Sequence, residues 1–310
     1  MHQFRRSALA LGLLAGFLAG FSGLGLAAAQ SIGTPTPAPD KTGVPVSTAT
    51  AAPAPESGSA PFEPLTQDDL QLLTANVQRP NGLAWHNNYL YTACSGDGTV
   101  YEIQSETGAT RTYIWGVSNA HSLIVEDVDD SLQMWVPDYG DNRIELVTRS
   151  GVDAVTEAVF DGPWGIVQLD DQQFLVSNLL GDRIDQVSRE GEIALALDGL
   201  ASPAGMALNG DVLYVANNGS TRRAVEWYDL VSGDAGPLVS GLQNATGLQL
   251  AADGYLYVAY ALGTRGLVGR VNPQVCMEAG GCTNDQVEVV LYTDLQTPLA
   301  GLAVTPDGRL

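Results

Sequence analysis

One short pattern returns six times along the 310-residue chain, and a repeat constrains a fold more tightly than composition does. A Gly or Ser followed by an aliphatic residue marks the segments NGLAW at residue 81, HSLIV at 121, WGIVQ at 164, AGMAL at 204, TGLQL at 246 and AGLAV at 300. Successive starts lie 40, 43, 40, 42 and 54 residues apart, and the one long interval contains the Cys276 to Cys282 excursion. After each of the first five segments comes a polar turn (HNN, VDDS, LDDQ, NGD, AADG), then a second β-rich run such as YLYTA, QMWVP, FLVSN, VLYVA or YLYVA. A third run follows (TVYEI, RIELV, RIDQV, AVEWYDL, LVGRV), and a more variable fourth closes the unit (RTYIW, VTEAVF, EIALAL, GPLVSGL, VEVVLYT).

Short runs rich in Val, Ile, Leu, Tyr and Trp, separated by Gly, Asp and Asn, are strands joined by hairpins. Apolar spacing of three and four over ten residues, which a helical repeat needs, is not seen. Four antiparallel strands at a period near forty make a propeller blade, and radial packing lets each sheet cover its neighbour. The expected fold is therefore all-β, a six-bladed β-propeller of four-stranded blades. The chain ends in TPDGRL, just past the first strand and turn of blade six. LQLLTANV, residues 70–77, is expected to serve as that blade's outermost strand and to clasp the ring. By the period of the other blades, roughly twenty residues of blade six are wanting at the C-terminus. A five-bladed ring with an extra terminal strand is the alternative.

The chain before the repeats is of a different kind. Arg5 and Arg6, an apolar stretch from Ala8 to Leu26 and the small residues Ala27 to Ala29 read as a signal peptide over residues 1–29. An uncleaved anchor is the competing reading, because the apolar stretch approaches a bilayer-spanning length. Residues 30–61 are dominated by Thr, Pro, Ala, Ser and Gly, which offer little to bury, and read as a disordered linker. The propeller domain is assigned to residues 62–310. With a leader removed, no membrane span is expected, and the location is secreted or at the cell surface.

Charge excludes one class of partner. Lys and Arg total 14 against 35 Asp and Glu, a net charge of −21. Removing residues 1–29 takes away Arg5 and Arg6 and leaves 12 − 35 = −23, a field that repels a phosphate backbone, so no nucleic-acid partner is expected. Lys41, in the linker, is the sole lysine, so the repeats hold none for Schiff-base chemistry. Cys276 and Cys282 flank MEAGG and are expected to form a disulfide in an exported chain, leaving Cys94 as a small core residue.

The pattern P-x-G-aliphatic, DG-x-LYVA and N-x-aliphatic, carried best by SPAGMALNGDVLYVANNG and VPDYGDNRIELV, resembles the NHL-repeat and regucalcin/gluconolactonase-like (TolB-like) superfamily of six-bladed propellers. It resembles streptogramin lyase-like proteins less closely. The first resemblance implies one divalent cation on the ring axis, held by Glu, Asn and Asp at the starts of the innermost strands. The matching column here is Asn81, His121, Trp164, Ala204, Thr246 and Ala300. Asn81 alone is an oxygen donor of that type, and a calcium ion needs carboxylates that the column lacks. Ca2+ at Asn81 is thus a weak candidate, and no cofactor is expected. A lyase of the second kind relies on histidines and a late Glu, but no histidine follows His121.

Two further groups of residues are candidates for lining a pocket. Asp138, Asn178 and Asn217 recur where the second strand of a blade enters its loop, and they serve either as a polar face or as caps for the turn. His121, Trp164 and Thr246 stand in the axial column with Asn81, and His121 beside Trp164 offers an imidazole and a broad ring to a ligand or to a proton transfer. NGS at 218 and NAT at 244 are glycan-acceptor patterns. No GxSxG elbow, P-loop or dinucleotide fingerprint is present. The expected function is a binding or scaffolding module for an extracellular protein, peptide or glycan. The alternative is a lactonase-like hydrolase with a degenerate axial metal site.

Overall fold

A computed structural model of the chain describes residues 63–296, 299 and 301–310. The signal-peptide and linker assignments lie outside the described residues. Within them the fold is an all-β propeller: five four-stranded blades and an incomplete sixth. Blade one runs from the inside outwards as Pro80–His86, Tyr89–Cys94, Thr99–Gln104 and Thr110–Trp115. Blade two comprises Ile124–Val128, Ser131–Asp138, Arg143–Thr148 and Gly151–Ala154, and blade three comprises Pro163–Gln168, Gln173–Asn178, Arg183–Ser188 and Ile193–Leu197. Blade four has Pro203–Asn209, Val212–Asn217, Val225–Asp229 and Ala235–Ser240, and blade five has Leu248–Leu250, Leu256–Leu262, Arg265–Val271 and Glu288–Gln296.

Turn chemistry sets these hairpins. Asn87 and Asn88, and again Asp129 and Asp130, occupy the left-handed region in tandem, with φ of 47°, 67°, 49° and 60°. Asn and Asp tolerate that region, and such a turn matches the twist of the flanking strands. Side chains then alternate between two interfaces along each second strand. Met134 and Val136 pack towards blade one, while Trp135 between them packs towards blade three with Phe174 and Val176. Leu175, between those two, faces blade four with Leu213 and Val215. The core is therefore a set of slabs between blades, each filled from both sides by a period of two.

Arginines staple two of these slabs at the rim. From blade two, Arg149 donates to Glu102 of blade one at 2.6 Å and stacks over Tyr113. From blade three, Arg189 donates to both oxygens of Glu126 in blade two and lies 5.1 Å over Trp135 and 5.0 Å over Phe174.

Around the axis the inner strands come close enough to demand glycine. A Cβ on Gly82 would sit 2.9 Å from the Ser122 nitrogen, one on Gly165 would reach the Ala204 carbonyl, and one on Gly205 would overlap the Thr246 carbonyl. Gly301 does the same against Asn81 and Leu83 of blade one, so residues 301–304 take the innermost position of blade six and complete the circle. Leu299, Leu302 and Val304 pack on Tyr257, Val268 and Leu291 of blade five.

Two expectations are corrected. LQLLTANV is not a strand: residues 70–77 have no partner ladder among the described residues, and Leu72 is exposed. The clasp comes instead from Leu65, which pairs in parallel with Leu291 of blade five, with N–H groups donating from Leu65 to Val290 and from Tyr292 to Leu65 at 2.9 Å. An outermost strand needs an inner neighbour to pair with, and residues 301–304 offer none at that radius. In blade two the outer strand is Gly151–Ala154, not VTEAVF, because the tight Arg149–Ser150 turn pairs Gly151 directly with Thr148. The excursion before Cys282 holds a short helix, Pro273–Glu278, and carries the chain to Cys282–Thr283, which adds in parallel to the outer strand of blade four. Cys276 and Cys282 are disulfide-bonded, and buried Cys94 has its thiol pushed up to about 11 by desolvation.

Arg189→Ala is expected to destabilise the propeller by about 2–4 kcal/mol, because it strands a largely buried carboxylate. Hydrogen bonding by Arg189 pulls Glu126 down to about 2. That contribution is full above about pH 4.5 and is lost as pH falls through about 2. Denaturant melts at several acid pH values should show it in the natural chain and not in the variant.

Candidate functional site

Each inner strand begins at the same end of the ring, so the axial column displays its side chains there. His121 precedes the inner strand of blade two, and Trp164 lies at the start of that of blade three. Their rings stack face to face, 3.6 Å apart and within 4° of parallel. Tyr139 stands edge-on to both, at 5.4 Å from His121 and 6.1 Å from Trp164. All three side chains are half-buried, so part of each ring still meets solvent. Behind them a narrow cavity of about 50 Å³ follows the axis between Ser122, Gly165, Gly205 and Leu302, room for a water molecule or two.

The imidazole is neutral. Burial alone drives His121 down to about 4, and its Nδ1 is enclosed without a partner. Among the described residues no carboxylate is recorded in hydrogen-bond contact with it, so nothing orients it as a base or stabilises its cation.

Of the other column residues, only some share this neighbourhood. Asn81 donates through Nδ2 to Asn119 Oδ1 at 3.3 Å and borders a different space, the open apolar slot beside blade six. Thr246 turns its hydroxyl to the Leu299 carbonyl at 2.8 Å, holding the sixth segment against blade five. Ala300 lies outside the described residues. His121 and Trp164 are thus brought together, while Asn81 bonds the loop that leads into His121 and Thr246 serves the seam of the ring. No carboxylate joins the column, so the residues present do not fit an axial calcium ion.

Asp138, Asn178 and Asn217 are fully buried, and they hold the loops that link one blade to the next. Asp138 accepts N–H groups from Ser118 at 2.5 Å and Asn119 at 3.1 Å, and from Gly140 and Asp141 in its own loop. Asn178 accepts from Asp161 N–H at 3.0 Å, and Asn217 accepts from Ala201 N–H at 3.2 Å. These are the capping contacts that Asp and Asn make in turns. Through them the second column sets the height and tilt of the first: the Ser118–Asn119 loop leads directly into His121. Sequence reasoning missed Tyr139 and Asn119. Tyr139 follows Asp138 immediately in VPDYGD, and its place beside a loop-capping residue was the available signal.

Two larger spaces flank the axis. The slot beside blade six has a volume of about 600 Å³ and is lined mainly by Leu, Val and Ile from blades one and five and from residues 70–77. At the opposite mouth a space of about 490 Å³ opens between Trp85, Gln168, Leu208 and Gln249.

No family model matches the chain, and no curated protein matches it in sequence. Among solved structures it is similar to a chain in the crystal structure of a nidogen–laminin complex, with a TM-score of 0.53 at 16% identity over 70% of this chain and 85% of that one. It is also similar to a streptogramin B lyase structure, with a TM-score of 0.52 at 17% identity over 75% of this chain and 89% of that one. These likenesses show the fold. At such identity they assign no activity.

The depressed His121 equilibrium makes a prediction of its own. The unfolded chain binds a proton at about 6.5 and the folded chain only near 4, so stability falls as pH drops through that window. His121→Phe keeps a flat ring on Trp164 and removes the titration. Compared with the natural chain at each pH, the variant should gain stability as pH falls from 6.5 to 4, the difference growing by up to about 3 kcal/mol at 1.4 kcal/mol per pH unit in paired denaturant melts.

Proposed function

We propose that this protein is an exported or cell-surface binding module whose ligand, an extracellular protein, peptide or glycan, docks on the ring face that carries His121, Tyr139 and Trp164. One observation carries the reading: three aromatic rings are held in fixed mutual geometry, each partly open to solvent. Rigid aromatic platforms give large contact area at low entropic cost and are where binding energy concentrates. The imidazole, neutral and without a hydrogen-bonded carboxylate, supports binding over acid–base chemistry. The basic-then-apolar leader and the Pro/Thr/Ala-rich spacer support display away from a surface. No helix among the described residues is long and apolar enough to cross a membrane. A chain of this shape in a nidogen–laminin complex is a precedent at the level of fold only.

Trp164→Ala should weaken binding to a ligand captured from glycan and extracellular-protein arrays by about 10- to 100-fold, with circular dichroism unchanged. Equal binding by the variant and the natural chain would remove the aromatic face from the assignment. Turnover on a lactone panel would move the protein to the hydrolase reading. N-terminal sequencing of the exported chain should start at Gln30.

A further inference from the structure

Three neighbouring blades carry the same local construction, and in one of them a hydrogen is missing. In blade three, Asn178 Nδ2 donates to Asp185 Oδ2 at 3.0 Å while Arg183 binds the same carboxylate. In blade four, Asn217 Nδ2 donates to Glu226 Oε2 at 2.7 Å, and Arg223 and Tyr228 supply the remaining donors. The corresponding residues of blade two are Asp138, Arg143 and Glu145. Here Arg143 donates through Nε and Nη2 to Glu145 Oε1 alone, at 3.0 and 2.8 Å. Glu145 Oε2 is enclosed with no partner, on a side chain with 0% exposure. Asp138 has no hydrogen to give, since it has taken the place of the amide. Carboxylate oxygens of Asp138, Asp141 and Glu145 lie within 4.8 Å of one another.

Other buried acids of the molecule show what is normally supplied. Glu102 receives Arg111 on one oxygen and Arg149 on the other, and Glu126 receives Arg189 on both. An unpaired oxygen in the interior is expensive, and two ionised carboxylates a few ångströms apart are more so.

We propose that Glu145 is held as a carboxylic acid through the mildly acidic range, its Oε2–H directed at the Asp138 carboxylate in place of the amide that blades three and four use. The electrostatics of the position agree. Burial raises Glu145 to about 7, Asp138 and Asp141 add to the rise, and Arg143 opposes it. The strands on either side place Val136 and Ala154 opposite Glu145 and add no charge of their own. The proton has a structural address. Asp138 is the acceptor for the Ser118 and Asn119 N–H groups, Asn119 accepts from the Tyr139 N–H at 2.7 Å, and His121 follows two residues on. Losing the proton sets a second negative charge beneath the loop that positions the aromatic rings. A divalent cation is the less fitting occupant, because three N–H donors on Oδ1 and one on Oδ2 leave Asp138 a single open acceptor position, enough for one O–H but not for a coordination sphere, and Arg143 binds both Asp141 and Glu145.

The sign follows from linkage. The folded chain holds this proton more tightly than the unfolded chain, where an ordinary Glu titrates near 4.5, so the contribution is full below about pH 4.5 and is lost as pH rises through about 7. The test compares the natural chain with Glu145→Gln, whose amide supplies the missing donor permanently. Above about pH 8 the variant should melt at least about 4 °C higher, and the two should converge towards pH 5. Infrared spectra of the natural chain near pH 6 should contain a protonated-carboxyl C=O band that titrates away near pH 7 and is absent from the variant. Should Glu145→Gln fail to fold, Asp138→Asn restores the pattern of blades three and four and should abolish the same band. Melting profiles that run parallel, or a natural chain without the band, overturn the proposal. Calcium or magnesium chloride that raises the melting temperature of the natural chain but not of Glu145→Gln overturns it in favour of a cation.

Discussion

Backbone meets backbone around the axis of this ring, and that approach fixes most of what lies outside it. Gly82, Gly165, Gly205 and Gly301 each leave space where a neighbouring inner strand passes within hard-sphere distance of a Cβ. With the inner strands so close, the second strands are set at the right separation for one layer of side chains from each blade. Those layers fill by strict alternation: Met134 and Val136 to one side, Trp135 to the other. A single register slip would exchange the two interfaces and fill neither.

Polar groups are spent at two radii for two purposes. At the rim, Arg149 and Arg189 each cross from one blade to an acid of the blade before, lying over aromatic rings as they do so. Nearer the axis, Asp138, Asn178 and Asn217 take the N–H groups of the connecting loops, which would otherwise be buried without acceptors. The chain has 14 basic residues for 35 acidic ones, so donors are scarce. Buried acids therefore depend on a few arginines and amides, and where an amide is replaced by Asp138 the shortage falls on Glu145.

The axial face joins these two systems. His121 and Trp164 belong to adjacent blades and stack only because their inner strands start at one level, while Tyr139 reaches them from the loop that Asp138 caps. Desolvation keeps the imidazole neutral, which makes the cluster a recognition surface of flat rings and one concealed nitrogen. Their neighbours in the column act differently: Asn81 ties blade one to the Asn119 loop that enters blade two, and Thr246 holds the sixth segment against blade five.

The sequence by itself determined the blade, since strand periodicity, turn residues and the glycine or serine of each inner segment are all local requirements that repeat every forty residues or so. It also marked Asp138, Asn178 and Asn217 as equivalent, and His121 and Trp164 as neighbours at one level. Tertiary structure decided what local pattern does not encode. LQLLTANV has the composition of a strand yet finds no edge to pair with, and Leu65 pairs instead because blade five presents Leu291 to it. Tyr139 is an ordinary loop residue until two blades bring His121 and Trp164 beside it. Glu145 reads as any acid on a strand, and only the packing of three equivalent blades shows that its buried oxygen lacks the donor its counterparts have. Pairing, stacking and desolvation depend on which surfaces meet across long stretches of chain, and those meetings are fixed when the ring closes.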